Sequence, residues 1–320
     1  MTRIVAADLG GTHARFALAE LEPGTMPRLG EMRSYRTREH RDLPAAWAAF
    51  ARDSGGELPR AAALAVAAPI EGDTLTFMNN DWRVDRHGLA GQLGLDRLTL
   101  LNDFGAVAQA VASLGPEHFA PIRGPASLAD KGIVSVMGPG TGLGVAILDR
   151  RGADSTVIET DASHIGFAPL DAEEEGVRDA LRDLYGRASV ERVVCGQGLL
   201  DVYAHLNGAA RQLDDAGTLW TRAIGGSDPL ATRALDLLVR VFGAVAGDIA
   251  LAQGAMGVVL AGTLANRIAP RLRGAPFEAR FIDKGRYRAR MERTPVRLLT
   301  YGEPGLLGAA IAFDRDWPDA

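Results

Sequence analysis

Asp8-Leu9-Gly10-Gly11-Thr12 sets a carboxylate at the end of an apolar run, directly before two glycines and a hydroxyl. That order suits a metal-bound phosphate. Asp8 can hold Mg2+, directly or through water, while Gly10, Gly11 and Thr12 bring backbone N–H groups to the phosphate oxygens. It equally suits a plain hairpin with a turn-favouring Asp. A second glycine turn, Gly138-Pro139-Gly140-Thr141-Gly142-Leu143-Gly144, lies about 130 residues further on. Leu143 breaks the G-x-G-x-x-G spacing, and a strand rather than a helix follows, so neither a Rossmann nor a Walker reading holds. Two such hairpins, with Gly140, Thr141 and Gly142 in the second, can grip one phosphate chain such as that of ATP.

Other stretches offer acid–base and hydroxyl-binding groups. Asn102-Asp103 stands where a strand gives way to a helix, and ligands of α/β sheets bind beyond the carboxyl ends of strands. An Asp there can take the proton of a hydroxyl that attacks a phosphoryl group, or it can cap the helix. Glu191 falls in the first turn of a helix after Ser189, where it meets a ligand or simply complements the helix dipole. Gly262-Thr263 ends an apolar strand before a helix, as a nucleotide contact or a packing turn. The segment IETDASHIGFAP (158–169) holds Glu159, Asp161 and His164 among small residues. It reads as one wall of a polyhydroxyl site or as a solvated turn. Cys195, flanked by Val193 and Val194, reads as core rather than nucleophile.

Among the elements that must hold these residues, RIVAADLGGTHARFALAEL reads strand, glycine turn, strand, with glycine supplying the φ > 0 geometry of a hairpin. Helices are expected over 44–56, where Pro44 opens and Gly55-Gly56 closes, and from about Phe104 to Leu114. Residues 60–70 and the run up to Leu101 read as apolar strands. Strand, glycine turn and strand recur over 132–149, which suggests two related lobes. Helices follow over 172–185, 197–206 and 229–253. Residues 257–268 and 295–313 each read strand, turn, helix. The alternation indicates an α/β fold.

Composition narrows the function. The chain has 320 residues, 47% of them hydrophobic, and a formal net charge of −5. That is long enough for two cores and offers no basic face for nucleic acid. The densest arginine run, RFIDKGRYRARMER (280–293), alternates with Asp and Glu and reads as a solvated helix or loop. A single cysteine excludes an internal disulfide and a zinc cluster and fits a cytoplasmic protein. The apolar run from Leu235 to Leu260 carries Asp236, Arg240 and Asp248, so it reads as a buried helix and strand, not a membrane span.

The ordered set of segments resembles the bacterial glucokinase family, hexokinase-like enzymes of the actin-like ATPase superfamily. DLGGTHARFAL resembles its first phosphate segment, MNNDW (78–82) its T-N-x-x-W segment, LLNDFGAV its sugar and catalytic segment, and GPGTGLG its second phosphate segment. ASVERVVCGQGLLDVY resembles a further sugar segment, and FIDKGR and EPGLLGAA its C-terminal signatures. The resemblance implies a two-lobed, ribonuclease H-like fold with a central cleft, a small lobe of 1–113 plus 303–320 and a large lobe of 114–302. It implies transfer of phosphoryl from ATP, with Mg2+, to the 6-hydroxyl of glucose, with Asp103 as general base. It also implies that Asn102, Asp161, His164 and Glu191 hold the sugar. Asp8 would act through Mg2+, and the Gly-Thr hairpins and Gly262 would face the nucleotide. A cytoplasmic homodimer is expected on the same basis.

Three departures qualify that expectation. His13 replaces the Asn of G-G-T-N-x-R, although Arg15 is kept. Gly262-Thr263 stands for Gly-Gly. The E-G-G-H pattern is here Asp161-Ala162-Ser163-His164, so the sugar carboxylate is an Asp. Asp reaches ~1.5 Å less far, and a lost hydrogen bond to a charged group costs roughly 1.5–3 kcal/mol. Glu159 is an outside candidate to fill that gap. A kinase for another hexose, and a non-catalytic sugar-binding regulator, are the competing readings.

Overall fold

The computed structural model describes residues 1–68, 70–77, 80–151, 154–208 and 216–318. The chain is mixed α/β and divides into two compact units. One is Met1–Leu114 with Val157–Glu159 and Tyr301–Ala320, the other Gly115–Thr156 with Thr160–Thr300.

In the first unit, Thr2–Leu9 and His13–Leu21 pair antiparallel, with Asp8 opposite Arg15. Thr2–Leu9 then runs parallel to Ala61–Val66, and Ala61–Val66 parallel to Arg97–Asn102. The central strands are apolar on both faces because both are covered. Val5, Ala7 and Phe16 pack on Trp47 and Phe50 of the helix Leu43–Asp53. Ile4, Ala6 and Ala17 pack on Leu306, Ala310 and Phe313 of the helix Pro304–Asp316. That helix also meets the helix Asp103–Ser113 backbone to backbone: a Cβ at Gly308 would overlap the carbonyl of Ala106.

The second unit repeats the scheme. Lys131–Pro139 and Leu143–Arg151 form an antiparallel hairpin. Lys131–Pro139 runs parallel to Gly257–Leu260, which runs parallel to Val296–Leu299. Phe119–Arg123 and Asp154–Thr160 close the two edges. The core gathers around the 24-residue helix Pro229–Ala252, whose Leu235, Leu238 and Phe242 are fully buried. The apolar run from Leu235 is therefore a core helix and strand, as expected. Among the described residues no helix is long and apolar enough to cross a membrane.

Two expectations need correction. Neither Gly10, Gly11, Gly140 nor Gly142 has a positive φ, so left-handed geometry is not why the hairpins use glycine. At Gly10 and Gly142 the reason is close approach, whereas a Cβ at Gly140 would meet nothing within 4 Å. The N–H of Gly10 donates to the carbonyl of His13 at 2.9 Å, and an added Cβ would lie 3.3 Å from that oxygen. At Gly142 a Cβ would overlap the carboxylate of Glu191. Nor is 280–293 simply solvated. Arg280 is largely buried and pairs with the buried Glu174 at 3.0 Å. The side chain of Lys284 is 8% exposed, donates to the carbonyl of Ala244 and pairs with Asp248 at 2.9 Å. Alternating charge signalled partners here, not water.

Candidate active site

The strand Arg97–Asn102 delivers Asn102 and Asp103 to the start of the helix Asp103–Ser113. The cap is Asn102, not Asp103. Its Oδ1 accepts the N–H groups of Phe104 at 2.9 Å and Gly105 at 3.3 Å. The cap fixes the turn and leaves Asp103 as the first helical residue, its own Oδ1 accepting the Phe104 N–H at 2.8 Å. Burial and the nearby charges of Asp8 and Glu159 push the Asp103 carboxyl from an ordinary 3.8 up to about 7. A carboxyl so placed exchanges a proton near neutral pH, which suits a general base.

Asp8 sits at the end of the first strand, its Oδ2 3.2 Å from a guanidinium nitrogen of Arg15. Burial raises its carboxyl, and the Arg15 charge opposes that rise. Glu303, at the N-cap position of the helix Pro304–Asp316 but with no side-chain capping bond, is also raised by burial and feels both Arg15 and Asp8. The helix can come this close because Gly305 has no side chain: a Cβ there would lie 3.1 Å from the Asp8 carboxyl carbon. The hairpin of Gly10, Gly11 and Thr12 is braced by Thr37, whose hydroxyl donates to the carbonyl of Gly11 at 2.8 Å. The Thr37 N–H donates to the carbonyl of Thr12 at 3.1 Å.

Sequence reasoning underplayed two residues of this unit. Arg15 was legible as the hairpin partner of Asp8, because a two-strand reading places residues 8 and 15 opposite one another. Glu159, an outside candidate for the sugar, has a backbone partner that spacing does not reveal: its Oε1 accepts the Asn102 N–H at 2.8 Å.

The second unit gathers the other candidates around its glycine hairpin. Glu191 accepts the Leu143 N–H at 3.1 Å, so it is tied to the Gly140-Thr141-Gly142 turn rather than merely complementing a helix dipole. The Gly140 carbonyl accepts the Gly196 N–H at 2.8 Å. Gly262 lies close by, an added Cβ falling 3.5 Å from the Pro139 carbonyl, and its φ of 91° is the left-handed case that favours glycine. Asp161 and His164 are exposed; Asp161 precedes the 3-10 turn Ala162–His164, and the His164 N–H donates to the Asp161 carbonyl at 3.0 Å. That segment is laced to the one leading into Glu191: the Phe167 N–H donates to Ala188 and the Val190 N–H to Ile165, each at 3.0 Å. Asp161, His164 and Glu191 thus share one loop cluster. Cys195 is buried, and burial pushes its thiol up to about 11, which leaves it inert as a nucleophile. Of MNNDW, Met78 and Asn79 lie outside the described residues, and Trp82 is a buried core residue donating to the His40 carbonyl at 3.0 Å.

The donor set can be tested against Mg2+. That ion is usually held by one or two carboxylates plus phosphate oxygens rather than by an all-protein cage. Among the described residues no three His, Cys, Asp or Glu side chains form such a cage. Asp8, close enough to Asp103 for its charge to raise that carboxyl, fits the sparser arrangement.

A family model described as Glucokinase matches residues 5–316. The chain is 46% identical over 320 residues to a glucokinase of Zymomonas mobilis, covering 99% of each sequence. The crystal structure of a glucokinase from an Antarctic psychrotroph superposes with a TM-score of 0.80 at 28% identity, covering 98% of this chain and 99% of that one. A ROK family glucokinase from Streptomyces griseus, solved in complex with glucose and AMPPNP, shares the fold at 18% identity. Its TM-score is 0.64, over 97% of this chain and 98% of its own. With the family model spanning nearly its whole length, the chain belongs to the glucokinase family.

Proposed function

We propose that this protein transfers the terminal phosphoryl group of ATP to the 6-hydroxyl of glucose, with Asp103 as general base. The observation that carries the assignment is the Asp103 carboxyl at the head of its helix, raised to about 7 beside Asp8. In the ionised form it takes the proton of the 6-hydroxyl as that oxygen attacks phosphorus. Asn102 holds the turn so that the carboxyl is presented in one orientation. Phosphoryl transfer needs positioning and charge compensation more than covalent chemistry, and the residues present offer both.

Asn102, Asp161, His164 and Glu191 are assigned to the remaining sugar hydroxyls. Such a site rejects analogues that lack a hydroxyl, because its own polar groups would then go unpaired. Gly10, Gly11, Thr12, Gly140, Thr141, Gly142 and Gly262 are assigned to the nucleotide. Bound Mg2+ would neutralise phosphate charge, with Asp8 holding it. The glucose and AMPPNP named for the Streptomyces relative support this choice of substrates. The lobes 1–113 plus 303–320 and 114–302, and a cytoplasmic homodimer, complete the reading; light scattering checks the dimer.

The test is ADP release with ATP, Mg2+ and a panel of hexoses ranked by kcat/KM. Glucose is expected to lead. Dominance of another hexose would favour the alternative raised by Asp161, and sugar binding without turnover would favour a regulator.

A further inference from the structure

Glu159 has a role that neither sugar nor nucleotide binding accounts for. It is half-buried on the strand Asp154–Thr160, and its segment Val157–Glu159 groups with the unit that carries Asp103. Its Oε1 accepts the backbone N–H of Asn102 at 2.8 Å. Its carboxylate also lies over Gly105, two residues into the helix: a Cβ at Gly105 would overlap it. The glycine of Asn102-Asp103-Phe104-Gly105 thus makes room for this acid. No arginine or lysine compensates Glu159 among the described residues, and burial raises its carboxyl against the opposing Asn102 hydrogen bond. An uncompensated, half-buried carboxylate is costly to keep, and here it stands at a helix N-terminus, where a negative charge is stabilised.

We infer that Glu159 is a positioning residue for the base: it clamps the strand-to-helix junction that presents Asn102 and Asp103, and its negative charge bears on Asp103. The charged groups around Asp103 are Asp8 from the first strand and Glu159 from its own strand, both of which raise the Asp103 carboxyl. Arg15 pairs with Asp8, and Glu303 on the C-terminal helix interacts with Arg15 and Asp8. Removing the charge of Glu159 therefore favours ionisation of Asp103, and the acidic limb of the pH profile moves to lower pH. Removing the clamp lets the junction shift, and turnover falls at every pH.

This inference rests on Asp103 being the base. The experiment measures kcat and kcat/KM from pH 5.5 to 9 for Glu159→Gln, Glu159→Ala and Gly105→Ala, with glucose, ATP and Mg2+. Glu159→Gln keeps an acceptor for the Asn102 N–H but no charge. Its acidic limb is expected to fall by about half to one pH unit, with kcat at pH 8 within about threefold of the parent. Glu159→Ala loses the clamp, and kcat drops about tenfold or more. Gly105→Ala pushes the carboxylate aside without removing it and should lower kcat likewise. An unshifted limb in Glu159→Gln overturns the inference, and so does parental kcat in Glu159→Ala. Asp103→Asn, measured alongside, separates the two levels. If it keeps turnover, the base assignment itself has failed. If it is inactive while Glu159→Gln shows the parental profile, only the role of Glu159 has failed.

Discussion

Asp103→Asn should make the protein more stable while it cuts turnover by about 10²–10⁴, and the gain should grow with pH. The Asp103 carboxyl is raised from 3.8 in the unfolded chain to about 7 in the fold. Below about pH 4 both states hold the proton and the residue costs nothing. Between about 4 and 7 the unfolded chain ionises while the native state keeps its proton, so stability is lost as pH rises. Above about 7 the full cost is present. At about 1.4 kcal/mol per pH unit this is about 1.5 kcal/mol at pH 5 and about 4 kcal/mol at pH 8. An Asn at this position avoids that cost but gives up a carboxylate at a helix N-terminus, worth about 0.3–1 kcal/mol. A net gain of about 3 kcal/mol remains at pH 8. For a chain of 320 residues, an unfolding entropy of about 2.1 cal/mol/K per residue converts 1 kcal/mol to about 1.5 °C. Calorimetry should therefore show Tm higher by about 4–5 °C at pH 8 and by about 1–2 °C at pH 5. A lower Tm in the variant, or a gain that is the same at both pH values, would refute the claim that Asp103 is held as a strained carboxyl.

Further consequences follow from packing and from the sugar loop. Gly308→Ala puts a methyl group into the Ala106 carbonyl. No side-chain rotation relieves that overlap, so a loss of about 3 kcal/mol is expected in urea unfolding; a variant as stable as the parent would contradict the helix contact. Cys195, buried with its thiol pushed up to about 11, should not react with an aromatic disulfide reagent in the native state and should react at once in denaturant. Asp161→Glu should raise kcat/KM for glucose by about one to two decades if the shorter acid forfeits one charged hydrogen bond. A fall instead would show that the loop is built around Asp.

The fold was legible because its signals are strong and local. Pro44 and Gly55-Gly56 bracket a helix observed over Leu43–Asp53, and the pattern over 172–185 is the helix Ala172–Tyr185. The two strand–glycine–strand segments are two antiparallel hairpins, each followed by parallel strands in the same order. What the sequence hid was three-dimensional. That Asn102 rather than Asp103 caps the helix depends on which side chain the turn aims at the free N–H groups. Nothing in the spacing around Gly142 and Gly105 shows that each leaves room for a carboxylate distant in sequence, Glu191 and Glu159. The charged run from Arg280 looked solvated because its partners, Glu174 and Asp248, lie on other helices. Spacing reports periodicity along one chain, and it is silent about which distant group fills the space beside a glycine.

The base assignment is tested most directly by measuring glucose binding and glucose 6-phosphate formation on the same preparation of Asp103→Asn. The account predicts that calorimetric titration finds glucose bound within about fivefold of the parent Kd, because a hydrogen-bonding group remains. It predicts turnover with ATP and Mg2+ down by about 10²–10⁴, the range a positioned general base supplies. Turnover within tenfold of the parent, with binding retained, would contradict it and assign the proton of the 6-hydroxyl to another group.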